Sequence, residues 1–80
     1  MQKIEVYTKG YCPYCHAAKK LLKQLGWNYT EYSIDNNFRK REEMIRRSSR
    51  RTVPQIFIGD EHIGGYDDFS AYIRSLAKLA

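Results

Sequence analysis

The strongest constraint on the fold is a change of hydrophobic period on either side of Cys12. Ile4 and Val6 alternate with Lys3, Glu5 and Tyr7 at the period of two that a half-buried strand requires. Thr8-Lys9-Gly10-Tyr11 breaks that pattern. From Pro13 onward Ala17, Ala18, Leu21, Leu22 and Leu25 recur at helical spacing, with Pro13 suited to a first helical turn and Gly26 to a stop. Residues placed about 100° apart put Cys15 on the apolar arc with these five, and His16, Lys19, Lys20, Lys23 and Gln24 opposite. Tyr29 to Ile34 reads as a second strand, so the chain opens as a βαβ unit with a right-handed crossover.

Asp35-Asn36-Asn37 offers turn and N-cap chemistry for a second helix through Phe38, Met44 and Ile45, ending near Ser48-Ser49-Arg50-Arg51. Arg41 falls between Met44 and Phe38, at the margin of that helix's apolar face, a position that calls for a partner. Val53 to Ile58 reads as a third strand, with Pro54 confined to its start or to an edge. Gly59-Asp60 then supplies a tight turn, and Glu61 to Ile63 a short return strand. Gly64-Gly65-Tyr66-Asp67-Asp68 leads into a last helix with Phe69, Tyr72, Ile73, Leu76 and Leu79 on one face. The order is β-α-β-α-β-β-α, an α/β chain without internal repeat or linker. Eighty residues accommodate one domain, spanning residues 1–80.

Apolar content of 42% and aromatic content of 14% suit a compact globule and exclude a disordered chain. The longest apolar run, Ile56 to Ile58, is far too short to span a membrane, and no apolar segment follows a basic start. The expected address is therefore the cytoplasm, with no membrane partner. The net charge of +5 is concentrated: Arg39, Lys40, Arg41, Arg46, Arg47, Arg50 and Arg51 are seven of the fourteen Lys and Arg. This segment is either an anion-seeking surface or a solvated helix face.

Both cysteines lie in Cys12-Pro13-Tyr14-Cys15. That spacing admits a cycling dithiol, half of a metal site or, with His16 following, a c-type haem attachment. In a reducing compartment a catalytic or metal-binding pair is favoured over a structural bridge. Attack on a disulfide needs a thiolate, which a helix N-terminus stabilises through its unpaired N–H groups and dipole. Cys12 sits just before that terminus, with the Lys9 charge three residues upstream, and is assigned as an exposed nucleophile. Cys15, one turn into the helix and on its apolar arc, is assigned as the shielded resolving thiol.

The Cys-x-x-Cys at a helix start, Thr52-Val53-Pro54 before a hairpin, and Gly64-Gly65-Tyr66-Asp67-Asp68 before the last helix together resemble the glutaredoxins over nearly the whole chain. The resemblance implies a thioredoxin-like fold, a four-stranded mixed sheet flanked by three helices. It also implies reduction of protein disulfides and glutathione mixed disulfides with glutathione as reductant and co-substrate, and no metal. It makes Thr52-Val53-Pro54 a cis-proline loop whose Val53 backbone pairs with the cysteinyl part of glutathione. Tyr14 would flank the substrate. Gly65 and the N–H groups of Tyr66 and Asp67 would take the γ-glutamyl carboxylate, and Asp67 or Asp68 the ammonium. Lys9 and Arg41 are the candidates for the glycyl carboxylate. Tyr66 stands where relatives carry a small residue or a cysteine.

The partners so implied are glutathione and disulfide-containing or glutathionylated proteins, with ribonucleotide reductase a family-level candidate, acted on by a monomer. Nucleic acid is not expected: the basic segment has no interleaved aromatics beyond Phe38 and no recognition motif. Haem attachment would need an export signal and places His16 away from the core. A glutathione-assisted iron–sulfur module and a redoxin reduced by thioredoxin reductase are the remaining alternatives.

Overall fold

The computed structural model describes residues 2–79, with side chains through Lys78. The elements are β1 (Ile4–Thr8), α1 (Pro13–Leu25), β2 (Thr30–Ser33), α2 (Phe38–Ser48), β3 (Gln55–Ile58), β4 (Glu61–Gly64) and α3 (Tyr66–Leu79), in the order read from the sequence. They build one four-stranded sheet in the order β2-β1-β3-β4. β1 runs parallel to β2 and antiparallel to β3, with Val6 opposite Glu31 on one side and Ile56 on the other. β3 and β4 form the hairpin, irregular between Ile56 and Phe57. Among the described residues no helix is long and apolar enough to cross a membrane.

The alternation in β1 and β3 gives the sheet two buried faces. Ile4, Val6, Ile56 and Ile58 pack with Ala18 and Leu22 of α1 and Phe69 of α3. Tyr7 and Phe57, pointing the other way, pack with Ile34 and Met44 of α2. Local caps set the helix limits. Gly26 ends α1 in the left-handed conformation at φ 71°, its N–H donating to the Leu22 and Lys23 carbonyls. Asn37 caps α2 by accepting from the Lys40 N–H at 3.1 Å.

Several expected positions are corrected. Thr8 belongs to β1, paired opposite Ser33, and does not open the loop. β3 starts at Gln55 instead of Val53, because Pro54 has no N–H to give to a ladder. Phe38, expected on the apolar face of α2, is 70% exposed: as the first helical residue it stands at the overhanging end, while Met44 reaches the sheet. Leu76 of α3 is exposed too. Fourteen helical residues span about 21 Å whereas the four-residue strands beneath span about 13 Å, so the helix outruns the sheet. Leu79's place on that face lies outside the described side chains.

The charges between α2 and the sheet are sorted by burial. Arg47 turns inward over the Phe57 ring, 3.9 Å from its centroid, and donates to the Tyr7 hydroxyl at 2.7 Å and to Glu5 Oε1 at 3.0 Å. The Tyr7 hydroxyl donates to Glu43 Oε2 at 2.7 Å, and Tyr32 donates to Glu5 Oε2 at 2.9 Å. Burial pushes the Glu5 carboxyl up, but the bonds from Tyr32 and Arg47 outweigh it and hold the group below its usual range. Glu43 is held low by Tyr7 and then by Lys40.

Because these carboxyls titrate below their ordinary value of 4.5 in the folded chain, their stabilisation is complete above that pH and is lost as pH falls through the lowered values. Thermal unfolding followed by circular dichroism should give a melting temperature that declines gently below about pH 6.5, where the half-buried, neutral His62 resists protonation, and more steeply below about pH 4.5. A Glu5→Gln/Glu43→Gln variant should start less stable and fall less steeply. In the core, Phe69→Ala should cost about 3–5 kcal/mol in denaturant unfolding, since the ring is fully buried between α3 and the sheet.

Candidate active site

The C-terminal end of β1 delivers the chain to the start of α1, and Cys12 occupies the N-cap. Its backbone is extended, at φ −140° and ψ 103°, while its carbonyl already accepts the first helical bond from the His16 N–H at 3.1 Å. Sγ folds back over the first turn and accepts from the Cys15 N–H at 3.2 Å. It thus takes the place of the oxygen acceptor that usually caps a helix. Pro13, next in line, has no N–H to leave unpaired there. From the other side the Cys12 thiol donates to the Val53 carbonyl at 3.7 Å. The Val53-Pro54 peptide is cis.

This geometry corrects the expected exposure of Cys12. Its accessibility is only 9%, against 0% for Cys15, because the cap geometry draws Sγ inward and the Val53-Pro54 segment closes over it. The two thiols, both unlinked, still differ in chemistry. Cys15 is pushed up to about 12, first by burial and then by its hydrogen bond to Cys12, against a backbone hydrogen bond from Lys9 and the charge of Lys19. At neutral pH Cys15 is therefore held as the thiol. Cys12 Sγ receives a helix N–H, the donor that an anion at this position uses.

Beside Cys12, Tyr14 and the Thr52-Val53-Pro54 segment share a cleft of about 240 Å³ with Gly65, Tyr66, Asp67 and Asp68. The structure thus brings together eight of the sequence candidates, drawn from three separate stretches. Tyr14 and Tyr66 approach with ring centroids 6.3 Å apart. The Phe69 N–H donates to the Gly65 carbonyl at 2.9 Å, so Gly65 caps α3 and the N–H groups of Tyr66, Asp67 and Asp68 form its open first turn. Asp68 reaches back to accept from the Gly65 N–H at 3.1 Å, the acidic half of a capping box. Gly64 sits at φ 121°, and a Cβ there would collide with the Asp68 side chain, so this turn requires glycine.

Lys9 and Arg41 do not line the cleft: Lys9 is exposed, and Arg41 is half-buried on α2 with no side-chain bond among the described residues. Sequence reasoning also missed three residues. Arg50, read only as part of the basic segment, pairs with Asp68 at 3.1 Å and holds that carboxyl below its usual range, leaving Asp67 without a partner among the described residues. Gln55, fully buried, donates from Nε2 to the Thr52 carbonyl at 3.0 Å and to its hydroxyl at 3.2 Å. His62 Nε2 donates to Gln55 Oε1 at 2.7 Å. Burial, then the Arg50 charge, keeps His62 below its usual range and so neutral. The visible signal was a lone amide in the otherwise apolar strand Gln55-Ile56-Phe57-Ile58.

The glutaredoxin family model matches residues 4–63. The chain is 59% identical over 71 residues to Glutaredoxin 3 of Escherichia coli K12, which covers 89% of this chain and 86% of that one. The glutaredoxin of Brucella melitensis, solved in solution, superposes with a TM-score of 0.80 at 43% identity, covering 99% of this chain and 85% of that one. The crystal structure of a buckwheat glutaredoxin–glutathione complex gives 0.82 at 35% identity, covering 92% and 70%. A dithiol at the start of α1, a cis-proline segment against it and a capped glycine turn, on a thioredoxin-like sheet, all agree with these matches: the chain belongs to the glutaredoxin family of thiol-disulfide oxidoreductases.

Proposed function

We propose that this protein reduces glutathione mixed disulfides and protein disulfides with glutathione as electron donor. The observation that carries the reading is the cleft beside Cys12, which joins the Val53 backbone, the open first turn of α3 and the Asp67 carboxylate, without a partner among the described residues. Glutathione presents a cysteinyl backbone, a γ-glutamyl carboxylate and an ammonium. Its backbone pairs with Val53, its carboxylate accepts from the Tyr66 and Asp67 N–H groups, and its ammonium meets Asp67. The glycyl end extends out of the cleft toward Lys9 and Arg41, each free of any ion pair among the described residues.

In the first step the Cys12 thiolate attacks the glutathione sulfur of a mixed disulfide, forming the Cys12–glutathione disulfide and releasing the other sulfur as a thiolate. A second glutathione thiolate then attacks the glutathione sulfur on Cys12, giving oxidised glutathione and free Cys12. With a protein disulfide, Cys12 becomes joined to one protein sulfur and Cys15 displaces it, closing the Cys12–Cys15 disulfide that two glutathiones reduce. Cys15 must shed its proton in that displacement, a loss that its burial opposes. The reaction needs thiols kept reduced by a glutathione pool, so we place it in the cytoplasm, carried out by a monomeric domain.

Turnover of a hydroxyethyl–glutathione disulfide, coupled to glutathione reductase, tests the reading. Cys12→Ser should abolish turnover, while Cys15→Ser should retain it and lose most reduction of a protein disulfide. Equal loss in both variants would reverse the assignment. Turnover supported by thioredoxin reductase and not by glutathione would replace the reductant. A second measurement addresses the cleft: Asp67→Asn should raise the KM for glutathione by about tenfold, the order of one charge-assisted contact, with little change in melting temperature.

A further inference from the structure

The exposed large apolar side chains include Tyr11, Tyr14 and Phe38, all at the end of the molecule that carries Cys12. Tyr11, at 104% exposure, precedes Cys12 directly. Its loop is pinned by the Gly10 N–H, which donates to Asp35 Oδ2 at 2.7 Å, and Phe38 follows Asp35 by three residues. Phe38 therefore lies at most about 25 Å from Cys12 by the path through that hydrogen bond, the reach of about seven extended residues. Scattered surface aromatics are ordinary. Phe38, however, lines a groove of about 630 Å³ with Arg39, Lys40, Glu42, Glu43 and Arg46 along α2.

The charges of that groove are not self-neutralising. Lys40 and Glu43 satisfy each other at 3.0 Å. Among the described residues Arg39 and Arg46 have no ion pair, and Glu42 is the one unpaired carboxylate facing them. Arg39 and Arg46 are two helical turns apart, about 10 Å, the span of about three extended residues. Arg51, beyond the helix, and Lys9, three residues before Cys12, are exposed and also without an ion pair among the described residues. The inward-turned Arg47 and the Asp68-bound Arg50 are accounted for, which leaves Arg39 and Arg46 as the groove's cations without an ion pair among the described residues.

We propose that this groove docks protein substrates: an extended, acidic segment places an apolar side chain against Phe38 and carboxylates at Arg39 and Arg46, bringing a disulfide up to about seven residues away onto Cys12. The inference rests on the glutathione reading for its chemistry and adds the class of protein substrate. Long-range attraction of this kind raises the encounter rate and fades with salt.

The test uses the full chain and a short peptide carrying one cysteine as its glutathione mixed disulfide. It is made in an acidic, leucine-containing version and in a version with lysines for the glutamates. For the wild type, kcat/KM on the acidic peptide should exceed that on the lysine peptide by about tenfold at low ionic strength, the gap closing in about 0.5 M salt. Arg39→Glu/Arg46→Glu should remove the preference and leave hydroxyethyl–glutathione disulfide turnover unchanged. Phe38→Ala should lower the acidic-peptide rate at both salt concentrations.

Calorimetric binding of the acidic peptide with serine for cysteine reads the surface without the chemistry. If small-disulfide turnover fails while this binding persists and is lost in Arg39→Glu/Arg46→Glu, docking stands and the glutathione reading falls. Unchanged acidic-peptide kinetics and binding in the charge-reversed variant would overturn the docking surface. So would unchanged peptide kinetics with loss of binding to a single-stranded oligonucleotide, which would assign the cations to nucleic acid.

Discussion

The 3.2 Å hydrogen bond from the Cys15 N–H to Cys12 Sγ organises the site, because it makes the sulfur proposed as nucleophile also the cap of α1. A helix start leaves N–H groups without partners, and an acceptor there is held in place by the same donors that stabilise its negative charge. Anchoring Sγ at the cap fixes it at the C-terminal end of β1, within reach of the Val53 carbonyl. It also sends Cys15 one turn inward, where burial suppresses its ionisation. The division of labour proposed for the two thiols thus rests on helix geometry.

A sulfur so placed needs a second surface to bring the reactant to it, and the sheet supplies that surface from distant sequence. β1 and β3 are neighbours, so the loop before β3 lies against the loop after β1, and the turn after β4 completes the cleft. Two polar clamps hold these segments. Gln55, backed by His62, ties down Thr52, and Asp68 ties Gly65 to Arg50. Each bond is worth about 1 kcal/mol in stability, but their larger effect is to limit where Val53 and the α3 terminus can stand. The opposite face of the sheet shows the same economy with charge: Arg47 is folded in and bonded to Tyr7 and Glu5, while Arg39 and Arg46 are left outward.

Much of this was legible in the chain. The elements and their order follow from period two and period 3.6 patterns with caps at Asn37 and Gly26, and the cleft residues announce themselves as three motifs. The errors share one cause. Phe38 and Leu76 satisfy the helical wheel, but a wheel does not say how far a helix extends past the sheet beneath it. Cys12 reads as exposed because a loop that covers it comes forty residues later in sequence, and Arg41 reads as the arginine needing a partner although Arg47 is the one that turns inward.

Sequence alone therefore determined the order of the elements and the placing of one cysteine at a helix start and the other one turn on, the asymmetry on which the proposed direction of the dithiol rests. It also determined which residue types were available to meet an anion and an ammonium. Tertiary structure alone decided which of those residues share one cleft, how little of Cys12 is open, and which cations are consumed internally. Those outcomes depend on strand pairing between segments far apart in the chain and on burial, whose electrostatic effects have no local signature.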